Sequence, residues 1–495
     1  MARRTFTLAV LAIFAGMLLG NSACASLPTP TRAPTPPAIP SPTATLQPTP
    51  TETPAPTNTP TPTETPTPIP QIKVGEIELP DPRVTNPELF DLKNPEAPIP
   101  QFVNALKNAG VNLTPEEIAQ GITFVSTKKD GAPLVDQDGN PFVVAVYNLD
   151  LDPVQTGETL EGPVPIMIAQ KNEGGGWKWS EINNRIASDQ NNLLTGTVLR
   201  GLLLSNPKYV KALRDQFNTT LIDYQLQWST LESEQGALNF QDADRLINFA
   251  GLNNMTIVGQ ALVYGKALPE WLEKSNFTRD EYIKLMQNHI TTVMSRYKGK
   301  VEVWVVVNEA HWLKSEDFWK DKIGDDYIEI AFQTAREADS SAKLIYSDFQ
   351  NETPNSPKTK FNKQIVERLK SKGLIDGIGL HMRIDASKPT KKEDLIRTMQ
   401  GYGIPVYITE LDVDLTNVTG TKEERFRLQA GIYKLIMEAA LESGVCKSFI
   451  VFGIGDKYSW LEEVLKKPNA DATLYSDDLD PKLALYAIRG PLVFR

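Results

Sequence analysis

The sequence predicts an α/β protein whose larger part is a (β/α)8 barrel, the TIM barrel. From about residue 193 onward, eight short β-rich runs alternate with segments whose apolar residues recur at the helical period. Several of these runs, such as residues 301–307, are almost continuously apolar, as strands buried on both faces of a parallel sheet must be. A regular alternation of eight strands and helices is typical of this barrel.

The predicted strands lie at residues 193–199, 221–228, 256–264, 301–309, 343–349, 375–382, 405–413 and 448–456. The clearest predicted helices lie at residues 242–249, 281–297, 327–338 and 365–372. In such a barrel the carboxyl ends of the strands gather at one mouth, and the chemistry is located there. We therefore expect the functional site at the strand ends.

Residues 1–25 have the features of an export signal. Arg3 and Arg4 precede a short apolar run, and small residues around Cys24 form a cleavage region. Cleavage before Cys24 would make this residue a lipid attachment site, as in a bacterial lipoprotein, whereas cleavage after Ala25 would remove it. Both alternatives stay open. Either one predicts a secreted or cell-surface protein of the bacterial envelope.

Residues 26–70 are predicted to be a disordered Thr/Pro-rich linker. Of the 37 prolines in the chain, 16 lie between Pro28 and Pro70, together with 14 threonines. Such a segment cannot bury a core and favours extended polyproline II, at about 3.1 Å per residue. The linker is therefore interpreted as a spacer.

Residues 71–190 are predicted to form a small α+β accessory domain, and residues 191–495 the barrel domain. Helical segments at 101–109 and 115–120 precede apolar runs at 122–126, 141–149 and 164–170. Residues 136–140 read as a hairpin turn; they also resemble the start of a calcium loop, but the acidic residue that would end such a loop is missing. No catalytic constellation is visible in this part.

Composition excludes several classes of protein. A net charge of −10 and an isoelectric point near 5.2 argue against a nucleic-acid partner, because binding to phosphates needs a basic surface. Three histidines and two cysteines leave little for a metal site. We predict neither a metal nor a cofactor, and we expect a monomer.

Two predicted strands end in glutamates. The fourth closes with Asn308 and Glu309, and the seventh with Glu410. Either carboxylate alone could simply bond a helix N-terminus or a neighbouring cation, since burying it unpaired is costly. Two carboxylates at one barrel mouth can instead perform acid/base and nucleophilic work on a glycosidic bond. Burial and mutual repulsion would keep one of them protonated as the acid.

A series of short motifs follows the chain through the barrel segment: Phe217-Asn218; Trp228 with Glu232 and Gly236; Phe240 with Ala243-Asp244; Leu268-Pro269-Glu270-Trp271-Leu272; residues 304–310; Gly377-Ile378-Gly379; residues 408–412; Ser459-Trp460; Asp480-Pro481-Lys482; and Tyr486-Ala487-Ile488. In these motifs and their order the segment resembles the glycoside hydrolases of family 10, the endo-1,4-β-xylanases. The resemblance implies retaining hydrolysis of internal β-1,4 bonds in xylan or a related plant polysaccharide. It assigns Glu309 as acid/base and Glu410 as nucleophile, with Asn308 on the 2-hydroxyl of the sugar under attack.

Several sugar-binding positions depart from the family's pattern. The Glu-Asn-x-x-Lys motif before Trp228 is replaced by Asp223, Tyr224 and Gln227. The third-strand histidine and tryptophan become Gln260 and Tyr264. Because a buried polar group left unpaired by the wrong sugar costs affinity, these changes leave the preferred sugar open.

Other departures lie on the later strands. His381 and Arg383 replace a glutamine and a histidine, and Phe452 replaces a tryptophan, whereas Trp460 is retained. The candidate substrate-binding residues are Asn308, Asp223, Gln227, Gln260, Tyr264, His381, Arg383, Phe452 and Trp460. Other interpretations remain: a packed His381, an Arg383 paired with Glu410, and core aromatics. A second function also stays open, that of a non-hydrolytic surface glycan-binding protein.

Overall fold

The computed structural model describes residues 69–494, apart from 129, 137, 150–161, 173, 311–316 and 389. The predicted export signal and all but the last two residues of the predicted linker lie outside the described residues. In the part that is described, no helix combines the length and the apolar character needed to cross a bilayer.

The part that precedes the barrel consists of short helices and two antiparallel sheets. Its helices are α1 (Pro82–Thr85), α2 (Pro98–Asn108) and α3 (Pro115–Gly121). The strands are β1 (Gln71–Val74) and β2 (Ile77–Pro80), which pair with each other, and β3 (Ile122–Val125), β4 (Phe142–Leu149), β5 (Gly162–Lys171) and β6 (Trp177–Glu181), which pair in that order. Thr114 and Glu117 form a reciprocal cap at the start of α3.

Eight parallel strands then close into a barrel, which confirms the predicted fold class. Each strand pairs with the next along the chain, and the last pairs with the first. The strands are β7 (Leu194–Val198), β8 (Thr219–Ile222), β9 (Thr256–Tyr264), β10 (Val303–Asn308), β11 (Lys343–Phe349), β12 (Gly377–Asp385), β13 (Val406–Asp414) and β14 (Cys446–Val451).

The helices surround these strands. They are α4 (Asn184–Gln190), α5 (Pro207–Gln216), α6 (Trp228–Leu231), α7 (Gln241–Leu252), α8 (Glu270–Glu273), α9 (Arg279–Tyr297), α10 (Phe318–Ile323), α11 (Tyr327–Ala338), α12 (Pro357–Lys370), α13 (Lys392–Gln400), α14 (Lys422–Ser443), α15 (Trp460–Glu463), α16 (Leu483–Ala487) and α17 (Arg489–Phe494). Threonines at positions 278 and 421 cap the long helices α9 and α14 through reciprocal bonds with a glutamate three residues on.

The predicted strand bounds were wrong mainly at β8 and β14. Strand β14 ends at Val451, whereas the prediction extended it to Asp456. Strand β8 ends at Ile222, whereas the prediction extended it to Trp228. The backbone leaves the extended region at Asp223 (φ −103°, ψ −88°), a 3-10 turn follows, and α6 begins at Trp228. Asp223 and Gln227 consequently lie on a loop that follows a strand end rather than within a strand.

The four-stranded sheet and α2 pack against the last two helices, α16 and α17, and we call this contact the seam. The ring of Phe102 on α2 lies 5.0 Å from that of Tyr486 on α16, between centroids. Arg489 is buried and donates hydrogen bonds to the Pro165 carbonyl oxygen (3.0 Å) and to Asn184 Oδ1 (3.2 Å). Residues from Ile69 onward accordingly form one compact unit with a shared apolar core.

Candidate active site

Strand register places the candidate residues at the carboxyl ends of β10, β12 and β13. Glu309 follows directly after β10, and Glu410 lies within β13. Between β12 and β13, His381 pairs with Glu410 and Arg383 pairs with Asp412. Residues two apart on a strand share a face. The register therefore brings two basic side chains against two carboxylates.

His381 lies between the two glutamates. Its Nδ1 is 3.4 Å from Glu309 Oε1 and its Nε2 is 3.1 Å from Glu410 Oε1, and only 1% of the side chain is exposed. The Ser347 hydroxyl also contacts Nε2, at 3.0 Å. Burial alone would lower the pKa of His381, but the Glu410 and Glu309 carboxylates outweigh it and raise the pKa above its ordinary value. The two carboxylates thus share one imidazole.

Glu309 has two further partners on its other oxygen. Its Oε2 accepts hydrogen bonds from the Tyr264 hydroxyl at 3.0 Å and from Lys266 Nζ at 2.7 Å. Its backbone adopts a positive φ of 50°, and its N–H donates to the Ser347 carbonyl. Burial raises the pKa of Glu309, but His381 and Lys266 together lower it well below the usual range. Without a ligand, Glu309 is a carboxylate.

Glu410 is held by an amide and a guanidinium. Gln260 Nε2 donates to Glu410 Oε1 at 2.5 Å, and Arg383 forms an ion pair with Oε2. Arg383 also pairs with Asp412, whose Oδ2 accepts from Trp460 Nε1 at 2.6 Å. Arg383 therefore bridges Glu410 and Asp412 on β13, and its pairing with Glu410 is the one considered from the sequence.

The aromatic candidates contact these polar groups. The guanidinium carbon of Arg383 lies 4.6 Å from the centroid of the Phe452 ring and 4.7 Å from that of Trp460. Tyr264 donates to Glu309, as described above. All three rings consequently belong to the wall of the site and not to the apolar core alone.

The loop after β8 adds a carboxyl group. Asp223 accepts a hydrogen bond from Gln227 Nε2 at 3.0 Å. Burial and the Glu410 carboxylate raise the pKa of Asp223 to about 7. Asp223 is therefore within electrostatic reach of Glu410 and changes its charge near neutral pH.

The buried acceptor atoms that have no hydrogen-bond partner among the described residues include three on the strands at this mouth. They are Asn308 Oδ1, Gln260 Oε1 and Asp412 Oδ1. A buried polar atom without a partner costs free energy, so each is a place where a hydroxyl donor would be stabilised. This favours a polyhydroxylated ligand.

Lys266 and Asp412 were not predicted as site residues. Asp412 follows Glu410 by two residues, so strand alternation could have identified it. Lys266 lies two residues beyond β9, and 48% of its side chain is exposed, so no burial pattern marks it. As for a metal, the part of the chain that the structure covers contains no group of three or more His, Cys, Asp or Glu able to hold one.

Comparison with known proteins identifies the family. The sequence profile described as Glycosyl hydrolase family 10 matches residues 183–491. The chain belongs to glycosyl hydrolase family 10. Endo-1,4-beta-xylanase B of Thermotoga neapolitana is 33% identical over 289 residues, which are 57% of this chain and 82% of that protein. The Beta-1,4-xylanase of Dictyoglomus thermophilum is 32% identical over 297 residues, 57% and 83% of the two chains.

Solved structures of family 10 proteins support the same family assignment. The crystal structure of xylanase 10B from Thermotoga petrophila in complex with xylobiose aligns with a TM-score of 0.60 at 33% identity, covering 63% of this chain and 98% of that chain. The family 10 structure from Paenibacillus barcinonensis aligns with a TM-score of 0.58 at 28% identity, covering 64% and 99%. The resemblance inferred from the motifs is thereby confirmed, and the protein is a glycoside hydrolase.

Proposed function

We propose that this family 10 protein is a retaining endo-hydrolase of internal β-1,4 bonds in xylan or a related plant polysaccharide. The observation that carries the proposal is the arrangement of Glu309 and Glu410 on the two nitrogens of one imidazole. Two carboxylates that flank one glycosidic bond are what its hydrolysis requires. The xylanase names of the relatives support the choice of polymer.

In this proposal Glu410 is the nucleophile and Glu309 the acid/base. Glu410 bonds to the anomeric carbon as the bond to the leaving oxygen breaks, and Glu309 gives that oxygen a proton. Glu309 then takes a proton from water, which attacks the anomeric carbon and releases Glu410. Asn308, buried with its Oδ1 unpartnered, bonds the 2-hydroxyl of the sugar under attack.

The remaining candidates form the walls that hold the sugar chain. We assign hydroxyl contacts to Asp223, Gln227 and Gln260. Gln260 donates to Glu410, the Glu410 charge acts on Asp223, and Gln227 donates to Asp223. Phe452 and Trp460 supply ring faces, and they hold Arg383 between them. The unpartnered Gln260 Oε1 supports a hydroxyl contact at that position.

The test is the release of reducing ends from xylan, mixed-linkage glucan, mannan and arabinan. We expect release from xylan or one related polymer, with oligosaccharides as early products. Glu410→Ala, at the same concentration, is the control for contaminating activity. Binding without release on every polymer would overturn the hydrolase proposal. Equal activity of the variant would exclude Glu410 as nucleophile.

A second candidate, a non-hydrolytic glycan-binding protein, has one observation in its favour. Lys266 and His381 hold Glu309 as a carboxylate in the free protein, and an ionised Glu309 cannot protonate a leaving oxygen. The same assay distinguishes the two candidates, because a binding protein retains xylan affinity in Glu410→Ala and releases no sugar in either form.

We also propose that the protein is exported and that residues 26–70 act as a spacer before the barrel. The basic residues and apolar run of residues 1–25 support export. Fractionation of cells that express the wild type and Cys24→Ala tests the anchor. A lipid anchor predicts membrane-bound wild type and released variant, whereas release of both forms favours cleavage after Ala25.

A further inference from the structure

In the free site Glu309 does not have the protonation state that its proposed role requires. As the acid it must carry a proton when the leaving oxygen departs, yet two cations hold it as a carboxylate. Lys266 Nζ lies 2.7 Å from Oε2, and His381 Nδ1 lies 3.4 Å from Oε1. Lys266 is half-exposed and can move aside for a sugar chain, whereas His381 is enclosed. The proton therefore has to come from a neighbour that stays in place.

His381 is the neighbour suited to supply it. Burial and the surrounding carboxylates raise the pKa of Tyr264 well above its ordinary value, so its hydroxyl keeps its proton. Arg383 contacts Glu410 and Asp412 and always remains charged. Imidazole is the side chain that exchanges protons near neutral pH. Its Nδ1 is next to the Glu309 oxygen that Lys266 leaves uncovered.

We propose that His381 is a positioning residue that stores the proton used by Glu309; this inference rests on the proposed function above. When a sugar chain displaces Lys266, the Nδ1 proton moves to Glu309 Oε1. Glu309 passes it to the leaving oxygen as that bond breaks and the Glu410 bond forms. The attacking water later gives Glu309 a proton, which returns to Nδ1. Each group ends the cycle as it began.

The surroundings of the ring suit both of its charge states. Three carboxylates favour the imidazolium: Glu309 at the end of β10, Glu410 on β13 and Glu352 on the loop after β11. Arg383, which lies on β12 with His381, opposes it. On the far side the Ser347 hydroxyl, 3.0 Å from Nε2, can donate or accept. The ring can therefore gain and lose its Nδ1 proton without losing its place.

His381→Gln tests the proposal, because glutamine keeps an amide between the carboxylates but carries no exchangeable charge. Two substrates are compared: xylan, whose leaving oxygen needs a proton, and a dinitrophenyl xylobioside, whose leaving group needs none. Near neutral pH we expect kcat/KM on xylan to fall by about 10²-fold. On the dinitrophenyl substrate we expect a change of less than about threefold.

The pH profile gives the second readout. A general acid is active only below its pKa. In the wild type, the proton that Glu309 and His381 share is lost only when the imidazolium titrates. In His381→Gln only the carboxyl of Glu309 remains, with Lys266 still beside it, so the basic limb of kcat/KM on xylan moves to lower pH by at least about one unit. His289→Gln, a buried histidine on α9 stacked against Trp228, is the matched control and should leave that limb in place.

Equal losses of His381→Gln on both substrates with an unmoved basic limb would overturn the proposal. If the wild type hydrolyses neither substrate, the proposed function itself fails, which is a different result. Should His381→Gln not fold, ring nitrogen NMR of the wild type decides, with His289→Gln and His311→Gln used for assignment. We expect His381 to be doubly protonated near neutral pH, and a neutral ring there would contradict the proposal.

Discussion

The barrel mouth and the seam both bury charged or polar side chains, but they differ in how these are satisfied. At the seam, Arg489 donates to neutral oxygens of Pro165 and Asn184, and Phe102 packs against Tyr486. At the mouth, cations and carboxylates crowd together, and three buried acceptors are left without partners among the described residues. The seam is therefore built for stability, and the mouth holds unsatisfied groups that a ligand would satisfy.

The largest effect is expected at the mouth. Glu410→Ala removes the proposed nucleophile and should lower kcat on the preferred polysaccharide by at least about 10³-fold. Reducing-end release measures it, and thermal unfolding shows whether the fold persists. We expect the melting temperature to fall while the fold persists, because the substitution removes the carboxylate that pairs with His381 and Arg383. A variant that keeps more than a tenth of wild-type kcat would contradict the assignment.

At the seam we expect a substitution to lower stability and to leave activity almost unchanged. Phe102→Ala leaves a cavity next to Tyr486 and should lower the free energy of unfolding by about 3–5 kcal/mol. Because Phe102 lies on α2, in the part that precedes the barrel, kcat/KM at moderate temperature should stay within about twofold of wild type. Denaturant unfolding, followed by fluorescence, measures the loss.

The exposed Val84→Ala is the matched control, with an expected change within about 0.5 kcal/mol. We also expect wild-type residues 69–494 to unfold in a single transition, since the seam joins the sheet to the barrel. Separate transitions for the two parts, or an inactive Phe102→Ala at a temperature where it is folded, would contradict the assignment of the seam to stability and of the mouth to function.

Within the mouth, Arg383→His tests whether the guanidinium that bridges Glu410 and Asp412 affects the pH dependence of the reaction. Burial raises the pKa of Asp412, and Arg383 opposes that rise. Losing the permanent cation makes ionised carboxylates less favourable, so the acid limb of kcat/KM should move to higher pH by about one unit. Arg397→His, at an exposed ion pair, should leave the limb unchanged. An unmoved limb in Arg383→His would separate Arg383 from the chemistry.

The smallest predicted effect concerns Lys266. Lys266 lowers the pKa of Glu309, so Lys266→Met should favour the proton that Glu309 shares with His381 and move the basic limb of kcat/KM to higher pH. Because the lysine is half-exposed and screened by solvent, we expect about half a unit. Lys274→Met, at an exposed pair, is the control. A shift to lower pH would contradict the ion pair as the cause.

Local pattern was sufficient to predict much of the barrel. Strands β9 and β11 have the predicted bounds, because their apolar runs begin and end where burial does. At β8 the apolar Leu226 and Trp228 continue the pattern past the strand end, and the turn at Asp223 depends on tertiary contacts that periodicity does not contain.

In the site, too, some features follow from local sequence and others depend on how the strands pair. That Glu309 and Glu410 lie together at the barrel mouth could be predicted, because a carboxylate after an apolar run is conspicuous. That His381 contacts both glutamates could not, since it depends on the register between β12 and β13. The ion pair of Lys266 was equally inaccessible, because a half-exposed loop lysine has the same sequence signature as any surface lysine.

The most direct test of the central claim is to trap the covalent intermediate. A fluorinated xylobioside with a good leaving group forms the glycosyl-enzyme quickly and slows its hydrolysis. Mass spectrometry of peptides from the treated protein should find one sugar adduct, on Glu410. An adduct on another residue would refute Glu410 as nucleophile. Turnover that leaves the protein unmodified, with an inverted product, would refute the retaining mechanism.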